Sequence, residues 1–284
     1  MRVLVLGASG MLGNAVVTVL SEEADWQVYG TVRAESSKPF FKPFIIERLV
    51  AGVDVEQQDS LIQAFIRTRP DVVINCIGLV KQLAEANDPL QAVPINTLLP
   101  HKLARLCDLS GARLVHMSTD CVFSGGKGGY CESDASDAND LYGKSKFLGE
   151  VDYPNAITLR TSIIGSELQS SHGLVGWFLS QQDSCKGYTR AIFSGLPTVV
   201  LAKIIRDIVI PHPELRGVYH VASNPISKYD LLKIVAQVYG KSIEITPDDR
   251  LVIDRSLNGE RFREATGYIT PEWQEMIQLM YSYK

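Results

Sequence analysis

Residues 2–13 read RVLVLGASGMLG. The apolar run from Arg2 to Leu6 is the pattern of a strand buried on both faces. It closes on Gly7, and a helix follows that carries Leu12, Ala15, Val16, Val19 and Leu20 at helical spacing. Glycines between them let the turn be tight and let main-chain amides approach an anion, which the helix N-terminus then stabilises. A lone glycine triplet is a weak signal, because any strand–turn–helix junction can use glycine. Heading a βαβ alternation, it reads as the pyrophosphate turn of a dinucleotide fold. Gly7, Ser9, Gly10, Met11 and Leu12 are its candidate cofactor-facing residues.

The alternation continues outward from that stretch. Strand patterns fall at 26–32, 49–53, 71–77, 113–118 and 156–160, and helical patterns at 60–68, 90–109 and 142–151. Right-handed βαβ units of this kind build a doubly wound, Rossmann-type parallel sheet of the α/β class. Past residue 165 the rhythm loosens into helices at 173–179, 201–210 and 228–239 and short extended pieces at 197–200, 217–222 and 243–245. We therefore expect a cofactor domain over 1–165 and a smaller C-terminal α/β substrate lobe over 166–284, some of whose elements can return to the sheet. The Gly- and Asp-rich stretch 124–139, SGGKGGYCESDASDAN, reads as a functional or mobile surface loop overhanging the strand ends.

Composition narrows the function classes. The chain has 284 residues, 45% hydrophobic and 21% charged, with a formal net charge of −4. That balance argues against a nucleic-acid binder, which needs a basic surplus. No apolar run approaches the ~18 residues of a membrane span, so no membrane partner is expected. The run before Gly7 is too short for the apolar core of a leader, and a cytoplasmic address is expected. Cys76, Cys107, Cys121, Cys131 and Cys185 are scattered and read as small buried hydrophobes. With no CxxC pair and no histidine at zinc-site spacing, no metal site is expected.

The end of the second strand selects the dinucleotide. A carboxylate there would receive the ribose hydroxyls of NAD. This chain has Thr31, Val32 and Arg33, and no acid until Glu35. Arg33 is placed for a 2′-phosphate, which favours NADPH over NADH. Asp54 and Val55, after the third strand, suit an adenine. Further on, Tyr142 and Lys146 stand four apart on one helical face. An ammonium beside a phenol lowers its pKa toward working pH, so that the tyrosine can exchange a proton with a carbonyl oxygen. Thr119, at the edge of the strand ending in Ser118-Thr119-Asp120, can donate to the same oxygen. The spacing recurs at Tyr229 and Lys233, but that pair opens a late amphipathic helix with Ser227 as its cap and reads as structural.

GASGMLG, NCIG at 75–78, STDCVFSG at 118–125 and YGKSKFLGE at 142–150 together resemble the extended short-chain dehydrogenase/reductases. Within them, they most resemble the dTDP-4-dehydrorhamnose reductase branch. The resemblance is strong over 1–165 and thins afterwards. It implies that Thr119, Tyr142 and Lys146 form a catalytic set in which Tyr142 protonates a keto oxygen while NADPH delivers hydride. It further implies that Lys146 holds the nicotinamide ribose and that Cys76, Ile77 and Gly78 cover the cofactor. Asn96 matches a polar position facing the active site, and a satisfied buried amide is its equal alternative.

The implied partner is a nucleotide-linked 4-keto-6-deoxy sugar, handled with Asp120 at the reacting end. A base to stack on and a pyrophosphate to neutralise point to Trp177, Arg190 and Arg255 in the later half. Two departures from the resembled pattern bear on the identity of the sugar: Cys121 stands where the pattern has tyrosine, and Ser256 where it has proline. A 4-epimerase stays open, as does a non-catalytic NADP-binding regulatory subunit like that of methionine adenosyltransferase. The oligomeric state is also open, a homodimer being one option. Replacing Arg33 with alanine is expected to weaken NADPH binding by roughly tenfold or more, the scale of a lost charge-assisted hydrogen bond, and to leave NADH binding unchanged. Fluorescence titration with both dinucleotides checks this, and equal losses would remove Arg33 from phosphate recognition.

Overall fold

A computed structural model describes residues 1–79, 84–168 and 173–283. Seven strands form one wholly parallel sheet: β1 (Arg2–Leu6), β2 (Gln27–Val32), β3 (Leu49–Ala51), β4 (Val72–Asn75), β5 (Arg113–Thr119), β6 (Ala156–Thr161) and β7 (Gly217–His220). Their order across the sheet is β3-β2-β1-β4-β5-β6-β7. The chain steps outward from β1 to β3, returns beside β1 as β4, and then steps outward the other way. The reversal leaves a crevice at the C-terminal ends of β1 and β4, where ligands bind in sheets of this kind.

Strand pleating decides which helices cover which face. Val3 and Val5 of β1 join one core layer with α1 (Met11–Leu20), and Leu4 and Leu6 join the opposite layer with α2 (Gln58–Thr68) and α3 (Leu99–Ser110). The α4 helix (Leu141–Leu148) lies over the C-terminal half of β5. On the α1 side, α5 (Thr198–Ile204), α6 (Lys228–Tyr239) and α7 (Trp273–Ser282) complete the layer. The chain beyond residue 165 thus supplies β7 and three covering helices to the sheet itself. It also makes short pieces outside it: Ile226–Ser227, Ala191–Phe193 and Ile253–Asp254 form a three-stranded sheet, and Ser184–Tyr188 pairs with Glu244–Asp248.

The long helix expected within 90–109 is present: the chain is helical without interruption from Pro89 through α3, widening to a π-type turn over Val93–Leu98 beside Pro94 and Pro100, each of which withdraws a backbone donor. Two expectations need correction. The piece 197–200 is extended only at Leu196–Pro197, and α5 begins at Thr198. The stretch 124–139 is tied down: Tyr130 is buried, stacks on Phe123 at 4.1 Å, and bonds through its backbone to Ser256 and Asn258.

The junction from β1 to α1 needs glycine at two points. Gly7 takes φ +80°, and a Cβ on Gly13 would overlap the Gly7 carbonyl oxygen. Gly13→Ala is therefore expected to destabilise the protein by about 3 kcal/mol, the upper range of overpacking costs. Gly10→Ala, whose Cβ would meet the same oxygen at 3.4 Å, should lose far less. Urea unfolding of the two variants side by side checks the contrast.

Candidate active site

A cleft of about 860 Å³ opens at the crevice between β1 and β4. Ser9, Gly10, Met11 and Leu12 form one wall, Cys76 to Leu79 border it, and Met117 to Cys121 form the floor. The far wall comes from the small three-stranded sheet and α6, through Ile192, Phe193, Ile253, Lys228 and Arg255. Gly10 precedes α1 without a side-chain cap, so first-turn amide donors are presented to the cleft. The turn is fixed by Gly10 N–H donating to the Gly7 carbonyl at 3.0 Å and Gly7 N–H donating to Thr31 Oγ1 at 3.1 Å.

Tyr142 reaches the floor because α4 is docked closely there. Asp140 Oδ1 caps the helix by accepting from Gly143 N–H at 2.8 Å. Gly143 lies against the Cys121 carbonyl so tightly that a Cβ would overlap it. This places Tyr142 and Lys146 beside the end of β5, where Thr119 is the last strand residue. Thr119 Oγ1 donates to Asp120 Oδ1 at 3.1 Å and accepts from Cys121 N–H at 3.1 Å.

Electrostatics at this end differ from the sequence expectation. The Tyr142 phenol is pushed up rather than down: burial is the main cause, Cys121 and Asp120 add to it, and Thr119 opposes it. Lys146 does not offset this, because its Nζ donates to the Met117 carbonyl at 2.7 Å. Burial lowers the Lys146 ammonium to about 8, against the pull of Glu150 and Cys76. Tyr142 therefore stands as a protonated phenol beside a buried cation. Asp120 is also raised by burial, with Arg255 and the hydrogen bond from Thr119 working the other way.

A buried ion pair holds the floor from behind. Arg160 of β6 binds Glu150 through Nε at 2.7 Å and Nη2 at 2.6 Å, and Ser118 Oγ donates to the same carboxylate at 2.6 Å. Arg160 also lies over the Phe123 ring at 5.2 Å and bonds His220 Nε2 at 3.2 Å. His220 Nδ1–H donates to the Tyr130 carbonyl at 3.0 Å, and burial lowers this imidazole to about 4.

The cleft gathers Ser9, Gly10, Met11, Leu12, Cys76, Ile77, Gly78, Thr119, Asp120, Tyr142, Lys146 and Arg255. Other candidates fall outside its lining. Gly7 shapes the turn behind it. Arg33 is exposed at the end of β2, and Ser37, a few residues on, does line the cleft. The Asp54 carboxylate accepts from Glu56 N–H at 3.1 Å, while Val55 is buried in the core beside α2. Asn96 is fully buried, accepting from Leu79 N–H at 2.9 Å and donating to Ser145 Oγ at 3.1 Å, which is the satisfied-amide alternative.

Trp177 and Arg190 require correction: both are exposed and neither lines the cleft. Trp177 sits on the helix Leu174–Ser180, whose buried face is Val175 and Phe178. Arg190 projects from the turn between two short strands. The cysteine reading also divides: Cys107 and Cys185 are buried, but Cys76, Cys121 and Cys131 are half-buried, and the first two border the cleft. Tyr229 lies against Gly187, with Lys233 over its ring at 5.1 Å, away from the cleft. The sequence reading missed Lys228, Ser37 and Glu167. Lys228 had a signal, since a cation in the first turn of a helix opposes the helix dipole.

A seven-stranded doubly wound sheet with a glycine turn on one side of the crevice and a Thr–Tyr–Lys set on the other defines an extended short-chain dehydrogenase/reductase. Within that class the chain belongs to the RmlD substrate binding domain family, whose model matches residues 1–283. It is 28% identical to the Danio rerio methionine adenosyltransferase 2 subunit beta over 251 residues, 84% of this chain and 74% of that protein. It is 24% identical to the dTDP-4-dehydrorhamnose reductase of Aggregatibacter actinomycetemcomitans over 99% of each. A crystal structure of dTDP-4-dehydrorhamnose reductase from Bacillus anthracis in complex with NADP superposes with a TM-score of 0.79 at 22% identity. That match covers 100% of this chain and 98% of that one. Among the described residues no helix is long and apolar enough to cross a membrane, and no cluster of His, Cys, Asp and Glu could hold a metal ion.

The buried pair behind the floor is testable by stability alone. Arg160→Leu is expected to cost about 3–5 kcal/mol by leaving Glu150 charged and unpaired, whereas the double replacement Arg160→Leu with Glu150→Leu should recover most of it. Chemical denaturation of wild type, single and double variants measures both. A double variant no more stable than the single one would show that the charge pair is not what holds the floor.

Proposed function

We propose that this protein reduces the 4-keto group of a nucleotide-linked 6-deoxy sugar with NADPH, acting as a sugar-nucleotide reductase. The observation that carries the reading is the convergence of Thr119, Tyr142 and Lys146 on the cleft that the N-terminus of α1 also faces. The glycine cradle fits a dinucleotide: the contacts at Gly7 and Gly13 leave no room for a side chain, and uncapped amides face the space beside them. Ser9 to Leu12 would hold the pyrophosphate, Cys76 to Gly78 and Lys146 the nicotinamide half, and Arg33 with Asp54 and Val55 the adenosine end. When bound, the reduced dinucleotide supplies the hydride.

The chain's own groups do the rest. Tyr142, its phenol raised by burial, keeps its proton at neutral pH and can release it to an oxygen that gains negative charge. Thr119 donates a hydrogen bond to that oxygen and orients the carbonyl. Lys146, a cation below about pH 8, stabilises the phenolate left on Tyr142. Asp120 accepts from a sugar hydroxyl. In this division of labour the sheet half to residue 165 carries the chemistry, and the small elements of 166–284 that wall the cleft carry the substrate. The 28% identity to a methionine adenosyltransferase subunit over 84% of the chain favours a second reading, a non-catalytic NADP-binding regulatory subunit.

NADPH absorbance with dTDP-, UDP-, GDP- and CDP-linked 4-keto sugars tests the proposal, and tight NADPH binding with no turnover on any of them would select the second reading. Tyr142→Phe and Lys146→Met are each expected to cut turnover by roughly 10²-fold or more, and Tyr229→Phe to leave it unchanged. Turnover should fall as pH rises through about 8, where Lys146 loses its proton, and Lys146→Met should lack that limb.

A further inference from the structure

The small three-stranded sheet puts two cations on one wall of the cleft. Ser227 and Asp254 both pair with Ile192, one antiparallel and one parallel, and the next residue along each strand is Lys228 or Arg255. Both line the cleft, on either side of a strand whose Ile192 also lines it. Arg255 is anchored by its Nε–H, which donates to the Phe123 carbonyl at 2.8 Å. Lys228 is half-buried in the first turn of α6, where the helix dipole disfavours a cation.

Asp120 is the acid that both cations face, and neither forms an ion pair with it among the described residues; Arg255 also faces Asp137, whose carboxylate accepts from Ser124 N–H and Oγ–H. Glu167, the other acid of the lining, is engaged elsewhere, accepting from Gly173 N–H at 2.9 Å. Lys228 thus shares its one facing acid with Arg255, and two cations meet on one side of a partly desolvated cleft. An oxyanion with several acceptor oxygens matches two converging donor groups of this kind.

We propose that Lys228 is a specificity-determining residue that, together with Arg255, seats the diphosphate of the nucleotide-linked substrate across the cleft from Tyr142. This rests on the sugar-nucleotide reading above and deepens it. The diphosphate lies on the far wall, Asp120 stays between it and the catalytic groups, and the sugar is presented to Tyr142. The cofactor's phosphates would be held by Ser9 to Leu12 at the start of α1, so Lys228 is not called on for them.

The test is equilibrium binding of free dTDP, UDP, GDP and CDP to the NADP-loaded protein by calorimetry, which needs no turnover. Lys228→Met is expected to weaken binding of the preferred nucleoside diphosphate by roughly tenfold, to flatten its dependence on salt, and to leave the NADPH dissociation constant unchanged. Lys228→Arg should restore most of the affinity, and Lys233→Met, an exposed cation on the same helix, should bind like wild type. Unchanged diphosphate affinity in Lys228→Met would overturn the proposal, as would a wild type that binds none of the four or a loss that falls on NADPH instead. Lys228-dependent diphosphate binding without reduction of any keto sugar would sustain this seat and remove the reductase reading, so the two can fail separately.

Discussion

The contact between Gly13 and the Gly7 carbonyl is the constraint on which the rest of the molecule is built. It lets α1 start hard against the end of β1, an interior strand of the sheet, with no side chain between Gly13 and the Gly7 carbonyl. A second small residue extends the fit, since a Cβ on Gly30 would press on the Ala8 methyl at 2.8 Å. Because the helix is so close, its N-terminus opens at the level of the strand ends rather than above them. The same packing thus closes one core layer and creates an anion-facing wall. Stability and ligand geometry are not separable at this junction.

The opposite wall is held by polar interactions rather than by close backbone approach. Glu150 follows α4, Arg160 lies on β6, Ser118 on β5 and His220 on β7, and one buried network ties them together. A buried charge pair contributes little net stability over an apolar replacement, but it is strongly directional. Here that direction fixes how β5 ends, and so where Thr119 and Asp120 stand. Through His220 and the Tyr130 carbonyl the network also reaches the 124–139 stretch, which explains why a run so rich in Gly and Asp is ordered.

The sheet was legible in the sequence because its signals are local and repeated. Apolar β-branched runs, helical periodicity and turn glycines agree over 1–165, and the strands were placed within about two residues of where they lie. The catalytic candidates were legible for the same reason, being fixed by helix spacing and by one strand end. What failed depends on tertiary context. Trp177 and Arg190 have the right chemical type, but nothing local says which way a short helix or a two-residue turn will face. The spacing of Tyr142 to Lys146 does not set the phenol's ionisation, because the ammonium donates to the Met117 carbonyl, a contact between elements 29 residues apart. Lys228 is hard to see in sequence because its neighbours in the cleft, Asp120 and Arg255, come from distant parts of the chain.

The two departures from the resembled pattern have physical readings once the contacts are known. At Cys121 the group that docks α4 is the backbone carbonyl under Gly143, so the side chain can change from tyrosine without moving Tyr142 or Lys146. It changes instead what borders the substrate side of the floor, replacing a ring with a small thiol. At Ser256 the N–H donates to Asp254 Oδ1 at 2.9 Å, and Oγ accepts from Gly129 N–H at 2.9 Å. A proline has neither donor nor hydroxyl and would position Arg255 by ring stiffness alone. Here the tail is positioned by hydrogen bonds to its own strand and to the 124–139 stretch, joined by Tyr130 N–H donating to the Ser256 carbonyl at 2.9 Å. Arg255 therefore depends on the folding of that stretch. The substrate wall and the catalytic floor are thereby coupled, since the same Tyr130 is held through His220 by Arg160.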